Sequence, residues 1–193
     1  MANILITGIT GLIGSHLSEE LSNLGHTIYG VTRRIYSKAN YETVLVDLAS
    51  DWKISDLPTN IDVIYHLAQS DKFRDFPAGA PDVFQVNINS TAKLLDYAKK
   101  IGVSSFIYSS SGGVYGNGDK PFLENAPIVP FGELGYYLGS KACGEILVQS
   151  YAQIFQVNIV RPFFLYGRAQ KRDMLIPRLF DNVLNDNPVY LSG

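Results

Sequence analysis

Two side chains suited to acid–base chemistry, Tyr137 and Lys141, lie four residues apart in a segment with a helical pattern. At this spacing both point from the same helix face. A free tyrosine has a pKa of about 10, and a nearby ammonium group lowers that pKa by stabilising the phenolate. The pair could then exchange a proton with a hydroxyl or carbonyl group during hydride transfer. Because such pairs also occur by chance, this interpretation depends on their context. Tyr136 has Ser140 at the same offset, so Tyr137 is the candidate base.

A run of serines, Ser109-Ser110-Ser111-Gly112, ends the fifth predicted strand. In open α/β sheets, ligands bind at the carboxyl edge of the strands. A serine hydroxyl there can donate a hydrogen bond to the reacting oxygen of a substrate. No histidine accompanies the run, so a serine hydrolase is disfavoured.

A glycine-rich turn follows the first predicted strand and opens the first predicted helix. Backbone N–H groups and the helix dipole favour a phosphate at such a turn, and glycines let the backbone approach it closely. A purely structural turn is the alternative, which the strand-turn-helix context disfavours. The candidate pyrophosphate-binding residues are Gly8, Thr10, Gly11, Leu12, Ile13 and Gly14.

The end of the second predicted strand bears on the choice of cofactor. NAD sites usually place an Asp or Glu there to bind the adenosine ribose. This chain has Thr32 followed by Arg33 and Arg34. Since a guanidinium group can bind a 2′-phosphate bidentately, the sequence favours NADP(H) over NAD(H). The alternative is a pair of solvated surface arginines.

Short apolar, β-branched runs alternate with helical patterns along the chain, which predicts an α/β fold with a doubly wound parallel sheet (Rossmann fold). The predicted strands are Ile4 to Thr7, Thr27 to Val31, Val44 to Val46, Val63 to Leu67, Phe106 to Ser109 and Val157 to Val160. The predicted helices are Leu12 to Leu24, Pro81 to Lys100, stopped by Gly102, and Tyr137 to Phe155. The segment from Gly112 to Gly135 has too many prolines and glycines for a regular element, so we expect a functional loop.

Composition excludes several classes of protein. A net charge of −2 gives no electrostatic case for nucleic acid or a membrane surface, and no apolar run is long enough to span a membrane. The three histidines form no metal-binding cluster, and a single cysteine, Cys143, excludes an intramolecular disulfide. We expect Cys143 to be a buried core residue and His66 to be structural. With no leader segment visible, we expect a cytoplasmic protein.

Taken together, these residues resemble the extended short-chain dehydrogenase/reductase family, which includes nucleotide-sugar epimerases and dehydratases. The matching motifs are Thr7 to Gly14, Asp47-Leu48, His66-Leu67-Ala68, Asn87, Ser109 to Gly116, Tyr137 to Lys141, Arg161-Pro162 and Tyr166-Gly167. They extend over nearly the whole chain.

The resemblance implies a catalytic set of Ser111, Tyr137 and Lys141, and a homodimer formed through the two long helices. It also implies that Asp47 and Leu48 flank the adenine. The remaining cofactor contacts that it implies are Leu67, Ala68, Gln69, Asn87, Ser109, Tyr137, Lys141 and Pro162. We expect a dinucleotide-binding domain over residues 1–167, and the start of a truncated substrate-binding region over residues 168–193.

Three departures from the family pattern limit the choice of reaction and substrate. Gly112 and Gly113 follow Ser111 where dehydratases usually carry acidic residues, so 4,6-dehydration is disfavoured. Phe164 stands where sugar-nucleotide enzymes often have an asparagine that touches the substrate. Relatives also continue beyond the position of residue 193 into a substrate domain.

Three hypotheses therefore stand. The first is an NAD(P)-dependent nucleotide-sugar epimerase in which Tyr137 is the acid and base. The second is an NADPH-dependent reductase of a 4-keto sugar nucleotide or another ketone. The third is a cofactor-binding module without turnover, because the substrate domain is incomplete.

Overall fold

The computed structural model describes residues 1–36 and 39–189, apart from the side chain of Phe131. Six strands form one parallel sheet in the order β3-β2-β1-β4-β5-β6. This is the strand order of a Rossmann fold, which confirms the predicted fold class. The strands are β1 (Asn3–Thr7), β2 (Thr27–Thr32), β3 (Glu42–Leu45), β4 (Val63–His66), β5 (Ser105–Ser109) and β6 (Gln156–Val160).

Helices connect β1 to β2, β4 to β5 and β5 to β6, as is usual for crossovers between parallel strands. They are α1 (Leu12–Asn23), α2 (Ala80–Val83), α3 (Ser90–Ile101), α4 (Phe131–Gln149) and α5 (Leu175–Leu184). Short 3₁₀ turns occupy Ile54–Asp56 and Gly112–Tyr115. The second of these begins the segment that was predicted to be an irregular loop.

Strand β1 shows how the sheet is covered on both faces. Ile4 and Ile6 pack with Leu17 and other apolar residues on one face, whereas Leu5 belongs to the larger cluster on the other. All three β1 side chains are almost completely buried. A strand buried on both faces has apolar residues at successive positions, which is why the continuous apolar run correctly predicted β1.

The second predicted helix is present but is not a regular α-helix. A π-helical segment, Phe84–Asn89, lies between α2 and α3. Gly102 ends α3 in the left-handed conformation (φ 75°, ψ 43°), with its N–H donated to the carbonyl of Ala98. The predicted glycine stop is therefore confirmed, whereas the π-helical segment was not foreseen.

The third helix agrees with the prediction at its start and differs from it at its end. The element α4 includes a separate turn over residues 131–134, but Gly135 (φ 65°, ψ 178°) is not helical, so the continuous helix begins directly after it, next to the predicted start at Tyr137. It ends at Gln149 rather than at Phe155. Tyr151 and Phe155 are four residues apart in the sequence, as in a helix, but they belong to the turn after α4, which packs both rings against the core. The Phe155 and Phe106 ring centroids are 6.1 Å apart.

The chain forms two compact units. The first, Met1–Phe163, contains the whole sheet and helices α1 to α4, and the second begins at Phe164 and contains α5. In the part of the chain that the structure describes, no helix is both long and apolar enough to cross a membrane.

Candidate active site

Most of the predicted site residues lie at the carboxyl edge of the sheet. Parallel strands end at the same edge, so residues that follow different strands are brought together there. The contributing strand ends carry Gly8 after β1, Arg33 after β2, Leu67 after β4, Ser111 after β5 and Pro162 after β6. The fold therefore assembles a single edge from segments far apart in sequence.

The glycine turn leaves no room for side chains on its backbone. Gly8 has a φ of +71°, and a Cβ on it would lie 2.8 Å from the amide nitrogen of Ala68. A Cβ on Gly14 would lie 2.4 Å from the carbonyl oxygen of Gly8. Gly11 stands at the N-terminus of α1, with an exposed backbone. This close-packed turn at a helix N-terminus is the cradle that a pyrophosphate fits.

At the end of β2, Arg33 extends into solvent and forms an ion pair. Its Nη2 lies 3.5 Å from Oδ2 of Asp71, which follows β4. Arg34 is also exposed, and its carbonyl oxygen accepts a hydrogen bond from the Thr32 hydroxyl at 2.5 Å. The Arg33 guanidinium group therefore lies beside a carboxylate.

The residues predicted to flank the adenine have different environments. Asp47 is exposed, and its carboxylate accepts the N–H of Ala49 at 3.0 Å. The Leu48 side chain is buried in the core cluster, so it packs in the interior rather than lining an open cleft. Leu67 and Ala68 are half-buried beside the glycine turn, where the N–H of Ala68 is donated to the Thr7 hydroxyl at 3.2 Å.

Tyr137 is half-buried and has two polar partners. Its hydroxyl donates to Oε1 of Gln69 at 2.8 Å, and the side chain of Ser111 is its second hydrogen-bond partner. The Phe73 ring packs on its ring, with centroids 4.8 Å apart. Burial raises the pKa of the Tyr137 phenol, while the hydrogen bonds with Gln69 and Ser111 lower it. The phenol is therefore held in its protonated form.

Lys141 is almost completely buried and donates from Nζ to the carbonyl oxygen of Ser109 at 2.9 Å. Burial lowers the pKa of its ammonium group to about 8. We expected this ammonium to lower the pKa of Tyr137, but burial dominates at the phenol, and Lys141 is engaged with the strand end instead. Tyr137 and Lys141 still share one helix, and both contact residues of the carboxyl edge.

Asn87 acts inside the protein rather than at its surface. It is buried in the π-helical segment, where its Oδ1 accepts the N–H of Ser70 and its Nδ2 donates to Ser140 Oγ, both at 2.9 Å. The Ser140 hydroxyl donates to the carbonyl oxygen of Tyr137 at 2.6 Å. Asn87 therefore ties the π-helical segment to helix α4, which carries Tyr137. Sequence reasoning missed Ser70 and Ser140, although Ser140 lies only three residues after Tyr137.

His66 connects the end of β1 to helix α3. Its Nδ1 lies 2.7 Å from the Thr7 hydroxyl, and its Nε2 lies 2.9 Å from the Thr91 hydroxyl. Because the Thr91 hydroxyl donates to the carbonyl oxygen of Asn87 at 2.7 Å, it must accept from Nε2–H. His66 is therefore neutral and protonated on Nε2, and burial lowers its pKa to about 3. The predicted structural role of His66 is confirmed.

Arg161, at the end of β6, links three segments of the first unit. It donates to both carboxylate oxygens of Glu145 on α4, at 2.8 and 2.7 Å, and to the Tyr115 hydroxyl at 2.5 Å. It also donates to the carbonyl oxygen of Glu124 at 3.2 Å. The carbonyl oxygen of the next residue, Pro162, accepts the Gly112 N–H at 2.8 Å. These bonds hold the chain after Ser111 against α4 and β6.

The expectation that Cys143 is buried is wrong, because its side chain is exposed. Helix α4 buries Lys141, Gly144 and Val148 on one face, and Cys143 projects from a different one. Among the residues that the structure describes, no group of three or more His, Cys, Asp or Glu side chains could hold a metal ion.

A cavity of about 640 Å³ lies elsewhere in the first unit. Its walls include Ile128, Val129, Ala142 and Ile159, with Arg161 and Glu145 as charged lining residues. The predicted site residues are absent from its lining, so the strand ends, and not this cavity, are the candidate active site.

Comparisons with known proteins identify relatives of the chain as a whole. The UDP-glucose epimerase YtcB of Bacillus subtilis, itself uncharacterized, is 30% identical over 210 residues, covering 98% of this chain and 65% of YtcB. Among solved structures, MoeE5 in complex with UDP-glucose and NAD is 31% identical with a TM-score of 0.83, covering 97% of this chain and 62% of MoeE5. The UDP-glucuronic acid 4-epimerase of Bacillus cereus in complex with NAD is 29% identical with a TM-score of 0.81, covering 96% of this chain and 63% of that enzyme.

The chain thus spans less than two thirds of the length of these relatives. A family model described as NAD dependent epimerase/dehydratase family matches residues 4–193, nearly the whole chain. Fold, strand order and the residues at the carboxyl edge are consistent with this match. The chain therefore belongs to the NAD dependent epimerase/dehydratase family.

Proposed function

We propose that this chain is the dinucleotide-binding part of a nucleotide-sugar epimerase in which Tyr137 is the acid and base. One observation carries the proposal: the Tyr137 phenol lies at the carboxyl edge of the sheet, hydrogen-bonded to both Gln69 and Ser111. A substrate oxygen at this edge would meet a phenol that can exchange a proton and a serine hydroxyl that can donate a hydrogen bond. Relatives that bind UDP-sugars with NAD support the substrate class.

In this mechanism the protein's residues handle the proton. A bound nicotinamide dinucleotide would supply hydride acceptance and donation, and the cradle of Gly8, Gly11 and Gly14 would hold its pyrophosphate. The Tyr137 phenol, which is protonated in this structure, would first have to ionise; the phenolate oxygen would then take the proton of a sugar hydroxyl and later return it. Lys141, one helical turn away, carries the positive charge that would favour this phenolate once its ammonium group moved from the carbonyl oxygen of Ser109 toward Tyr137. Ser111 orients the sugar oxygen that reacts.

The proposed cofactor preference is for NADP(H) over NAD(H). Thr32 rather than a carboxylate ends β2, and the Arg33 guanidinium group that follows is largely exposed and can bind a 2′-phosphate bidentately. The solved relatives named above contain NAD, which makes an NAD(H) preference the competing outcome. Titration with NADPH and NADH, repeated on Arg33→Ala, separates the two: a preference for NADPH that is lost in the variant supports the proposal.

Replacement of Tyr137 by phenylalanine is expected to slow inversion of UDP-glucose or UDP-glucuronic acid at C4 by about 100-fold or more. The variant removes only the hydroxyl group, so dinucleotide binding should persist. Proton NMR of the sugar measures inversion, and fluorescence measures binding. The matched control is Tyr136→Phe, since the Tyr136 hydroxyl donates to the carbonyl oxygen of Ala80 and should not enter the reaction. Equal loss in both variants would contradict the assignment.

Two alternatives predict different outcomes of the same assays. Dinucleotide binding without any turnover of nucleotide sugars favours a cofactor-binding module. Reduction of a 4-keto sugar nucleotide or another ketone by NADPH, without inversion of a sugar hydroxyl, favours the reductase. The exposed Arg33 is the observation that supports NADPH use.

The proposed partner, besides a nucleotide sugar, is a second copy of the chain. The helices predicted to pair carry exposed apolar side chains, including Ile146 on α4, 59% exposed, and Phe84 in the π-helical segment, 52% exposed. Sedimentation should show a dimer that Ile146→Glu shifts toward monomer. Leu24→Glu, at an exposed apolar residue after α1, is the control. A monomeric wild-type chain would overturn the dimer proposal.

A further inference from the structure

The carboxylate that Rossmann domains use for the adenosine ribose usually stands at the end of the second strand. Here Thr32 and Arg33 occupy that place, but Asp71, from the segment after β4, brings a carboxylate oxygen to 3.5 Å from Arg33 Nη2. We propose that Asp71 shifts the cofactor preference of this site toward NAD(H) and so opposes the contribution of Arg33. It accepts hydrogen bonds from the ribose hydroxyls of NAD(H), and it competes with the 2′-phosphate of NADP(H) for Arg33.

The position of Asp71 is fixed by its neighbours. The N–H of Ser70 is donated to Asn87 Oδ1 at 2.9 Å, and the Ser70 hydroxyl donates to the Asp82 carboxylate. The N–H of Lys72 is in turn donated to the Ser70 hydroxyl at 3.1 Å. The residue before Asp71 is therefore anchored to a buried asparagine, and the backbone that follows is tied to that anchor. Because of this anchoring, the backbone keeps the Asp71 carboxylate near Arg33.

The strand order explains why a residue after β4 can reach the end of β2. Strand β1 lies between these two strands, and all three end at the same edge. The segment after β4 is bonded to β1 there, through the N–H of Ala68 and the Thr7 hydroxyl at 3.2 Å. Arg33 reaches toward it from the opposite side of the glycine turn. Asp71 thus occupies the place of the missing ribose-binding acid without belonging to β2.

Both side chains of the ion pair are exposed enough for a ligand group to replace one partner. The side chains of Arg33 and Asp71 are 64% and 59% exposed, and such pairs are weak because water screens them. An arriving 2′-phosphate can therefore take the guanidinium group, but the adjacent carboxylate repels it. A 2′-hydroxyl group is not repelled and gains a charged acceptor. Asp71 consequently favours the unphosphorylated cofactor, whichever cofactor the wild-type chain prefers.

The test is a set of calorimetric titrations with NADH, NADPH, 5′-AMP and 2′,5′-ADP. In Asp71→Asn, affinity for 2′,5′-ADP should rise about three- to fivefold, the scale of an exposed charge pair. Affinity for 5′-AMP should fall about tenfold, the scale of a hydrogen bond to a charged group. The NADPH-to-NADH affinity ratio should rise by more than tenfold. In the Arg33→Ala background, the gain for 2′,5′-ADP should shrink, since the competition for Arg33 is gone and only the direct repulsion by Asp71 is left to relieve.

Asp75→Asn is the matched control, because Asp75 is an exposed carboxylate of the same segment and its loss changes the net charge equally. If Asp75→Asn moves the affinity ratio as far as Asp71→Asn does, bulk charge explains the effect and the inference is overturned. A wild-type chain that binds all four probes, with a ratio unchanged in Asp71→Asn, overturns this inference alone. The inference rests on the proposed function, so a wild-type chain that binds none of the probes overturns both.

Discussion

Replacement of Arg161 by alanine is expected to lower the free energy of unfolding by about 3–5 kcal/mol. Its guanidinium group forms a bidentate pair with Glu145, whose side chain is only 7% exposed. The hydrogen bonds with Glu145 raise the pKa of Arg161, so the guanidinium group stays positively charged. Without Arg161, the buried carboxylate would have to remain charged and unpaired or take up a proton, and either is costly. Urea unfolding followed by circular dichroism measures the loss.

Two further variants separate this effect from the loss of any ion pair. Arg172→Ala removes an arginine that donates to Asp181 at 2.9 Å in the exposed second unit, and should cost less than about 1 kcal/mol. The double variant Arg161→Met with Glu145→Gln removes both charges, and should recover part of the stability. A loss in Arg161→Ala no larger than that in Arg172→Ala would show that burial of Glu145 is unimportant.

The second large expected effect is a loss of folding stability at acidic pH, caused by His66. The folded-state pKa of His66 is about 3, below its ordinary value of 6.5, because of burial and then the Lys141 charge. Between these two pH values the unfolded chain binds the proton and the folded chain does not. Stability from this group is therefore complete above pH 6.5 and falls with pH, by about 1.4 kcal/mol per unit and roughly 4 kcal/mol by pH 3.5.

The measurement is urea unfolding at pH values from 7 to 3.5, for wild type and His66→Asn. An asparagine can still accept from Thr7 and donate toward Thr91, but it does not titrate. The difference between the two curves isolates His66 from the carboxylates, which are common to both proteins. His16→Gln, on the exposed face of α1, should keep the wild-type slope. An unchanged slope in His66→Asn would mean that His66 is not held neutral by the fold.

The strands and their shared edge could be predicted because they depend on local patterns. β-Branched runs such as Ile4 to Thr7 indicate buried strands, and parallel strands necessarily place Gly8, Arg33 and Ser111 at one edge. The exposure of Cys143 also follows from spacing, once Lys141 is known to face the core. That error came from reading residue type, since cysteine is often buried, without applying the helical period.

Contacts between distant segments could not be predicted in the same way. Arg33 and Asp71 are 38 residues apart, and nothing local to either indicates that they meet. The pairing of Arg161 with Glu145 likewise depends on how α4 lies against β6. The kink at Gly135 had a partial signal, because a glycine with a φ of 65° tolerates a conformation that other residues avoid.

The π-helical segment Phe84–Asn89 has a consequence for how the molecule can change by insertion or deletion. Each residue of an α-helix turns its side chain by about 100°, and a π-helical turn contains roughly one residue more. The segment therefore offsets the direction of Asn87, which faces Ser70 and Ser140, from that of Leu94 and Leu95, which face the core. Removing one residue there would rotate one set relative to the other. The number of residues between α2 and α3 is therefore constrained mainly by the directions in which these side chains must point, and less by the distance that the segment has to span.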